Sequence, residues 1–219
     1  MPQSPALPCP RPARVVLEGR YARLEPLSAA HARALFDASA GPGADRLFAY
    51  LFDQPPATLA DMEAWIAKMS AGDDPLFSAV IDKTSGRAAG RQALMRIAPE
   101  HGVIEIGNIL WGPAISRKRA ATEALYLAAR HLFEDLGYRR FEWKCNDRNE
   151  PSKAAARRFG FIYEGIFRQH MWVKGANRDT AWFSMLDSEW PALKAEYDRW
   201  LAPANFDAAG NQLTKLRVA

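Results

Sequence analysis

The hydrophobic pattern of the first hundred residues changes between helical and strand periods. Apolar residues at helical spacing predict helices over 28–37 and 58–69, with Ser28 as the first N-cap. A strand is predicted over 17–24, and a hairpin turn at 83–86 separates a strand over 76–81 from another that ends at Ile97. This half of the chain therefore predicts a short strand, two helices and an antiparallel meander.

The second half begins with an apolar run over 103–111, interrupted only by Glu105 and Asn108, which predicts a buried strand. The elements predicted after it are a helix over 122–136, a strand over 139–145, a short helix over 151–159, strands over 161–173 and 180–186, and a helix over 189–201. This order predicts an α/β fold with a mixed central sheet, in which 103–145 forms a right-handed parallel crossover. Ligands of such sheets bind at the carboxyl ends of the strands, where neighbouring strands splay apart.

Length and composition place these elements in one domain. The chain has 219 residues, of which 48% are hydrophobic and 25% charged, which suits a globular protein with a sizeable core. Proline interrupts the N-terminus repeatedly. We therefore predict a flexible Pro-rich tail over 1–13, a single domain over 14–202 and a C-terminal extension over 203–219.

Charge and cysteine content exclude several classes of protein. The formal net charge of +4 is too low for a dedicated nucleic-acid binder, so no nucleic-acid partner is expected. Cys9 and Cys145 have neither disulfide-rich nor zinc-like spacing, and no metal is expected. No apolar run has the length of a membrane span, and no signal peptide is evident. We expect a cytoplasmic protein without a membrane partner.

The loop over 113–122 is the first candidate for chemistry. It joins the buried strand to the predicted helix and carries three consecutive cations, Arg117, Lys118 and Arg119. Free N–H groups and the helix dipole at a helix N-terminus attract anions, so a pyrophosphate would fit this loop. A solvated basic turn is the alternative interpretation.

A second polar cluster, over 146–152, also follows a strand and opens a helix. Asn149 suits a helix cap and Pro151 suits the first helical turn, so capping alone explains both residues. Ser152 is not needed for capping and is therefore the residue of this cluster that suggests chemistry.

The chain from Glu105 to Leu186 resembles the GNAT acyltransferase superfamily, in particular the Rim-like branch of ribosomal-protein N-acetyltransferases. The residues that carry the resemblance, in order, are Glu105–Gly107, Ala121–Ala124, Leu136–Arg140, Asn149 with Ser152, Arg158–Phe161, Glu164–Gly165 and Arg178–Asp179. The resemblance implies the GNAT fold with splayed parallel strands flanked by helices, acetyl-CoA as cofactor, and N-acetyl transfer to a primary amine such as a peptide N-terminus.

The pyrophosphate loop departs from the family pattern. The family has Arg or Gln, then Gly, then Gly or Ala at positions that hold Ser116, Arg119 and Ala121 here. Because the glycine is missing, we expect the Arg119 side chain to contact phosphate in its place. The cofactor residues implied by the resemblance are Leu110, Trp111, Ser116, Arg117, Lys118, Arg119, Ala120, Ala121, Thr122, Asn146, Asn149 and Ser152.

The family mechanism is direct attack of the amine on the thioester. The resemblance implies a backbone N–H at Leu110 or Trp111 as the donor to the carbonyl oxygen, and Ser152 beside the leaving thiolate. Two residues are candidates for the general base. His170 has a suitable pKa range, and strict strand alternation would place it on one face with Arg168 and Trp172. Glu105 could act through water or be a buried partner of a neighbour such as Arg140.

Two alternatives to acetyl transfer remain open. Cationic residues around Arg168 and Lys174 favour an acidic acceptor or a larger donor such as succinyl-CoA. The altered loop would suit a catalytically degenerate protein that binds coenzyme A. The sequence does not identify the acceptor, and a homodimer is as compatible with it as a monomer.

Overall fold

The structure is a computed structural model that describes residues 6–218. The strands are β1 Leu17–Glu18, β2 Ala22–Pro26, β3 Leu76–Asp82, β4 Arg87–Ala98, β5 Val103–Trp111, β6 Arg140–Asn146, β7 Ile162–Val173 and β8 Ala176–Leu186. The helices are α1 Ala32–Ser39, α2 Ala44–Phe48, α3 Leu59–Ser70, α4 Arg119–Arg130, α5 Glu150–Arg158 and α6 Trp190–Leu201. A π-helical turn, His131–Asp135, continues α4.

Within residues 6–218 the strands form one eight-stranded sheet in the order β1-β2-β3-β4-β5-β6-β8-β7. The sheet is mixed, with one parallel pair, as the α/β prediction requires. The pairs β1–β2, β2–β3, β3–β4, β6–β8 and β7–β8 are antiparallel. No helix within residues 6–218 is long and apolar enough to cross a bilayer.

Contacts divide the chain into two compact units. The first, called the N-terminal unit here, comprises Ala13–Arg96 and Ile106–Leu127. The second, called the C-terminal unit, comprises the described parts of Met1–Pro12, Ile97–Glu105 and Ala128–Ala219.

In the N-terminal unit, α1 and α3 supply a core against β3 and β4. Thr58 begins α3 with a capping box, because its hydroxyl accepts from the Asp61 N–H while the Asp61 carboxylate accepts from the Thr58 N–H. Met62 and Ile66, four residues apart, are the buried positions of α3. The buried core that they join also contains Leu27, Ala32, Leu35, Phe77, Ala79, Ile81, Ala88 and Ala93.

In the C-terminal unit, β6 and β8 present an apolar face and a polar face. The buried hydrophobic residues Phe141, Trp143, Cys145, Ala181, Phe183 and Met185 alternate with Glu142, Lys144, Thr180, Trp182 and Ser184. Phe141 and Trp143 pack against Phe161 on the apolar face. This alternation puts charged residues of β6 together on the other face, where candidate catalytic residues are described below.

The ends of the described chain are attached to the C-terminal unit. Cys9 is buried, and its thiol lies 3.3 Å from the Gly137 carbonyl oxygen. The Asn205 side chain accepts hydrogen bonds from the N–H and hydroxyl of Thr214, which holds part of the segment after α6. Residues 1–5 of the predicted tail lie outside the described residues, and the predicted division at 13 and 202 stays a prediction.

Several elements differ from the sequence predictions, among them β8, which begins at Ala176 instead of Thr180. Helix α2 lies between the predicted helices over 28–37 and 58–69, where no element was predicted, and α4 begins at Arg119 instead of Thr122. In β7 the register shifts between Phe167 and Met171, with Gln169 at φ 49°, so the predicted alternation over 168–173 is wrong there. The Asp179 carboxylate accepts from the Gln169 N–H at 2.7 Å and thereby holds this bulge.

Candidate active site

The carboxyl end of β5 lies in tight backbone contact with β4 in the N-terminal unit. A Cβ atom on Gly90 would lie 2.6 Å from the Leu110 carbonyl oxygen, so this approach requires glycine. The Gly112 N–H donates to the Ala89 carbonyl at 2.9 Å. The buried Gln92 accepts from the Trp111 indole N–H at 3.3 Å and donates to the Ala124 carbonyl at 3.0 Å. Gln92 therefore ties the end of β5 to α4.

The predicted phosphate loop follows as a series of turns. The N–H groups of Ile115 and Ser116 both donate to the Gly112 carbonyl. Arg117 takes a left-handed φ of 61°, which is uncommon for a side-chain-bearing residue and often marks a functional loop. Ser116, Arg117 and Lys118 are exposed, whereas Ala120, Ala121 and Thr122 are buried.

Because α4 begins at Arg119, all three cations of the loop lie at the start of the helix. The first N–H groups of a helix have no carbonyl partner within it, and the dipole adds partial positive charge there. Exposed cations beside such N–H groups suit a small anionic group such as a phosphate. The structure therefore brings together the loop residues that the sequence analysis assigned to cofactor binding.

Arg119 packs against an aromatic ring in the same unit. Its Cζ atom lies 4.2 Å from the centroid of Tyr21, a cation–π distance. Tyr21 is held in turn by Glu123, whose carboxylate accepts from the N–H groups of Arg20, Tyr21 and Ala22 at 2.9, 2.5 and 2.6 Å. Glu123 entered the sequence analysis only as a residue of the family motif, and its buried position on α4 gives it this positioning role.

Ser152 lies on the first turn of α5 in the C-terminal unit. Its Oγ accepts a hydrogen bond from the Trp143 indole N–H at 3.0 Å, and its backbone N–H donates to the Asn149 side chain at 3.2 Å. Burial raises the pKa of the neighbouring Cys145 thiol, and a hydrogen bond with Ser152 opposes that rise. Cys145 is therefore a neutral, buried thiol at physiological pH.

Asn146 and Asn149 use their side-chain oxygens for local turns. The Asn146 carbonyl oxygen accepts from the Arg148 N–H at 3.0 Å, and Asn149 is the N-cap of α5. Both residues are half-buried, and each amide NH₂ group is a further donor. Capping accounts for their oxygens, and their role toward a cofactor stays a prediction.

Glu105 forms a buried ion pair on β5. Its Oε2 lies 3.0 Å from the Lys144 Nζ, and their side chains are 4% and 7% exposed. Lys144 also contacts Glu142 at 2.7 Å. The sequence analysis named Arg140 as an example of a partner for Glu105. Lys144, which lies on the same polar face of β6 as Arg140, forms this ion pair instead.

Arg140 extends this charged network toward β7. It pairs with Glu142 at 2.8 Å and bidentately with Glu164 at 2.8 and 2.6 Å. The Ser184 hydroxyl donates to Glu164 at 2.7 Å. Hydrogen bonds from Arg140 are the main reason that the pKa of Glu164 falls below its ordinary value. Glu105, Lys144, Glu142, Arg140 and Glu164 are called the charged ladder below.

His170 is exposed and lies in the bulge of β7. Its Nδ1 is 3.0 Å from the Thr180 hydroxyl, and its ring lies 5.5 Å from Phe167 and 6.0 Å from Trp182, centroid to centroid. Lys144 Nζ lies 3.8 Å from the centroid of the same Trp182 ring. Trp182 therefore contacts both His170 and the Lys144 partner of Glu105, the two candidate bases of the sequence analysis.

The β6 residues that contact Ser152 and Glu105 lie on opposite faces of that strand. Trp143, the hydrogen-bond partner of Ser152, points to the apolar face, and Lys144, the partner of Glu105, points to the polar face. An amine that attacks a thioester and the thiolate that leaves also occupy different sides of the reacting carbon. The distribution of these residues in the C-terminal unit is compatible with such a reaction.

Comparison with known proteins decides the family. The profile of the acetyltransferase (GNAT) domain matches residues 22–162, more than half of the chain. This chain belongs to the GNAT acetyltransferase family. Its mixed sheet of eight strands within residues 6–218 is thus that of a GNAT domain, as the resemblance implied.

Similar solved structures agree with this assignment. A GCN5-related N-acetyltransferase from Brucella melitensis is 62% identical, with a TM-score of 0.94 and 96% of each chain covered. A probable acetyltransferase (GNAT family) from Chromobacterium violaceum is 40% identical over 87% of this chain and 98% of that one, with a TM-score of 0.78.

One curated relative is matched over a shorter segment. It is "Putative ribosomal N-acetyltransferase YdaF" from Bacillus subtilis, 34% identical over 64 residues, or 29% of this chain. The match covers 35% of the length of that relative, so its acceptor is not transferred to this chain.

Proposed function

We propose that this protein transfers an acetyl group from acetyl-CoA to a primary amine by direct attack on the thioester. The observation that carries the proposal is the start of α4, where Arg117 and Lys118 are exposed at the N-terminus of the helix in a GNAT domain. The donor set consists of cations and N–H groups, which fits the phosphates of coenzyme A.

The N–H groups of Arg119, Ala120 and Ala121 would hold the pyrophosphate, with the side chains of Arg117 and Lys118 adding charge. Ser116 and Thr122 border this group. Acetyl-CoA supplies the activated acyl group when bound. The backbone N–H of Leu110 or Trp111, at the glycine-dependent contact between β4 and β5, would donate to the thioester carbonyl oxygen.

Ser152 would donate its hydroxyl proton to the departing thiolate. The Trp143 indole donates to Oγ and thus occupies an acceptor site of the hydroxyl, which favours a role for Ser152 as a donor. Cys145 lies beside it but is buried with a raised thiol pKa, so an acyl-cysteine intermediate is disfavoured.

His170 is the base that the geometry favours. The Thr180 hydroxyl lies 3.0 Å from Nδ1 and orients the imidazole, which could take the proton of the amine directly or through one water. Glu105 is held in a buried ion pair with Lys144 and would act through water if it acts as the base.

Two free, buried cysteines are compatible with action in the reducing cytoplasm.

Calorimetry with acetyl-CoA tests the cofactor site. Arg119→Glu should weaken binding by at least ~10-fold, about 1.4 kcal/mol, because it removes a cation at the helix start and the stacking on Tyr21. Lys215→Glu, the same charge change at another exposed residue, is the control. Equal affinity of wild type and Arg119→Glu would contradict this placement of the cofactor.

Turnover measurements test the roles of Ser152 and His170. Ser152→Ala should lower kcat by about 10²-fold or more with a smaller effect on acetyl-CoA affinity, since general acid catalysis typically contributes that much. His170→Gln should lower turnover and flatten the dependence of activity on pH, because the amide side chain cannot take up a proton. A His170→Gln enzyme with wild-type turnover and pH profile would transfer the role to Glu105.

A further inference from the structure

A buried arginine in the N-terminal unit has donors that no group in the described residues uses. Arg91 on β4 lies 4.0 Å from the Trp65 ring, 5.6 Å from Phe77 and 6.0 Å from Phe48, measured from Cζ to the ring centroids. Its Nη2 donates to the Asp53 carboxylate at 2.7 Å. These five residues are called the Arg91 cluster.

The sheet position of Arg91 is one that apolar residues normally fill. Arg91 pairs in register with Ala79, and two residues further on Ala93 pairs with Phe77. Ala79, Ala93 and Phe77 all belong to the core under α1 and α3. Alternation therefore points Arg91 into this helix-covered face, where a charged side chain carries a desolvation cost of several kcal/mol.

The ion pair with Asp53 uses only some of the hydrogen-bond donors of Arg91. Burial lowers the pKa of Arg91, and the Asp53 carboxylate opposes that effect. Among residues 6–218, the Arg91 Nη1 and the Trp65 indole N–H are buried without a hydrogen-bond partner. Two unsatisfied buried donors in one cluster are unusual, because native proteins satisfy nearly all such groups with protein, water or ligand.

The cluster reaches the surface on the side of Asp53 and Trp65. The Asp53 side chain is 25% exposed, against 4% for Arg91, and Trp65 is half-buried. Tyr50 and Phe52, in the same segment as Asp53, are 40% and 44% exposed. The segment that carries Asp53 therefore presents exposed aromatic residues close to it in the chain.

We propose that the Arg91 cluster binds an uncharged oxygen acceptor, a carboxamide or peptide carbonyl, of the amine substrate. Asp53 already balances the guanidinium charge, so the remaining donors offer hydrogen bonds without net positive charge. A carboxylate there would leave one buried negative charge unpaired, which is costly. This inference rests on the proposed acetyl transfer and adds the group beside the amine that the enzyme recognises.

The charge balance gives a substitution that should reverse the preference. Asp53→Asn keeps the size of the side chain but leaves the Arg91 charge uncompensated. The variant should therefore favour a carboxylate over a carboxamide. A merely structural ion pair would not exchange one substrate preference for the other.

The experiment compares three amines of similar size: L-alaninamide, L-alanine and isopropylamine, each with acetyl-CoA. Wild type should prefer alaninamide by at least 10-fold in kcat/KM over the other two. Arg91→Met should lose that preference, and Asp53→Asn should shift it to alanine. Arg87→Met, which removes an arginine from the same strand and its ion pair with Asp37, should leave it unchanged.

Indole N–H resonances measured on the full chain give a readout that does not depend on turnover. The Trp65 peak, assigned with Trp65→Phe, should shift when alaninamide is added and stay in place with isopropylamine. An unmoved peak at high alaninamide, with the same preference in wild type and Arg91→Met, would overturn the inference and leave acetyl transfer intact. If the Trp65 peak does not move and the indole N–H shows a long-lived contact with water, the donors bind only water. That result also overturns the inference.

Failure of the proposed function has a different signature. If none of the amines is acetylated and acetyl-CoA does not bind, acetyl transfer is wrong. A shift of the Trp65 peak with alaninamide would then still support carbonyl binding by the cluster.

Discussion

The charged ladder of the C-terminal unit and the Arg91 cluster of the N-terminal unit are two ways of burying a cation. In the ladder, Lys144 contacts two carboxylates, and Arg140 contacts two more oxygens of Glu164. In the Arg91 cluster, one carboxylate and three aromatic rings surround a guanidinium that keeps an unused donor. A saturated network holds strands together, whereas an unsaturated one retains bonding capacity for a ligand.

The largest expected effect comes from removing the central cation of the ladder. Lys144→Met should destabilise the protein by about 3–5 kcal/mol, because it leaves buried carboxylates of Glu105 and Glu142 without their common partner. Urea unfolding measures this loss. Glu105→Gln in the same chain should recover part of it, and a single Lys144→Met that costs less than ~1 kcal/mol would show that the ladder is not a structural element.

A smaller effect is expected from the other buried cation. Arg91→Met should change the unfolding free energy by about 1 kcal/mol or less, since an apolar side chain suits the core and Asp53 can regain water at its exposed side. The same unfolding assay gives the value. A loss as large as that of Lys144→Met would remove the contrast between the two sites and identify Arg91 as a structural residue.

The smallest expected effect on stability comes from Glu164 of the charged ladder, and it depends on pH. Because the folded-state pKa of Glu164 lies below its ordinary value of 4.5, its contribution is present above pH ~4.5 and is lost as pH falls through the folded pKa. Glu164→Gln should therefore be about 0.5–1 kcal/mol less stable than wild type at pH 7, discounted because the side chain is 39% exposed. The difference should shrink toward zero as the pH falls through the folded-state pKa of Glu164, and a constant difference would contradict the ion-pair explanation.

The sequence predicted best those elements whose period is unambiguous. Strand β5 has the predicted bounds because a run of nine residues that only Glu105 and Asn108 interrupt is recognisable without knowledge of its partner strands. Helix α2 was missed, since the five residues after Gly43 are too few to show a helical period. The start of α4 was placed at Thr122 because three cations at a helix N-terminus oppose the usual charge preference.

Side-chain partners were predicted less well because they depend on register between distant strands. The sequence left open whether Glu105 acts through water or has a buried partner such as Arg140. Lys144 and Arg140 lie on the same face of β6, so the sequence alone does not distinguish them as partners. Arg91 gave no signal in the sequence analysis, since an arginine in a predicted hairpin strand is ordinarily exposed. The bulge at His170 depends on Asp179, ten residues away on the next strand.

The three hydrogen bonds that Glu123 accepts have a consequence for the order of folding. Glu123 is separated by 101 to 103 residues from the N–H groups it binds, so the turn before β2 can close only after α4 has been made. Contacts over such sequence distances carry a large loop-closure cost and form slowly. This turn requires glycine at position 19, because a side chain there would collide with the Glu123 carboxylate. The stacking of Tyr21 on Arg119, and with it the finished phosphate loop, is thus expected among the last parts of this chain to form during refolding.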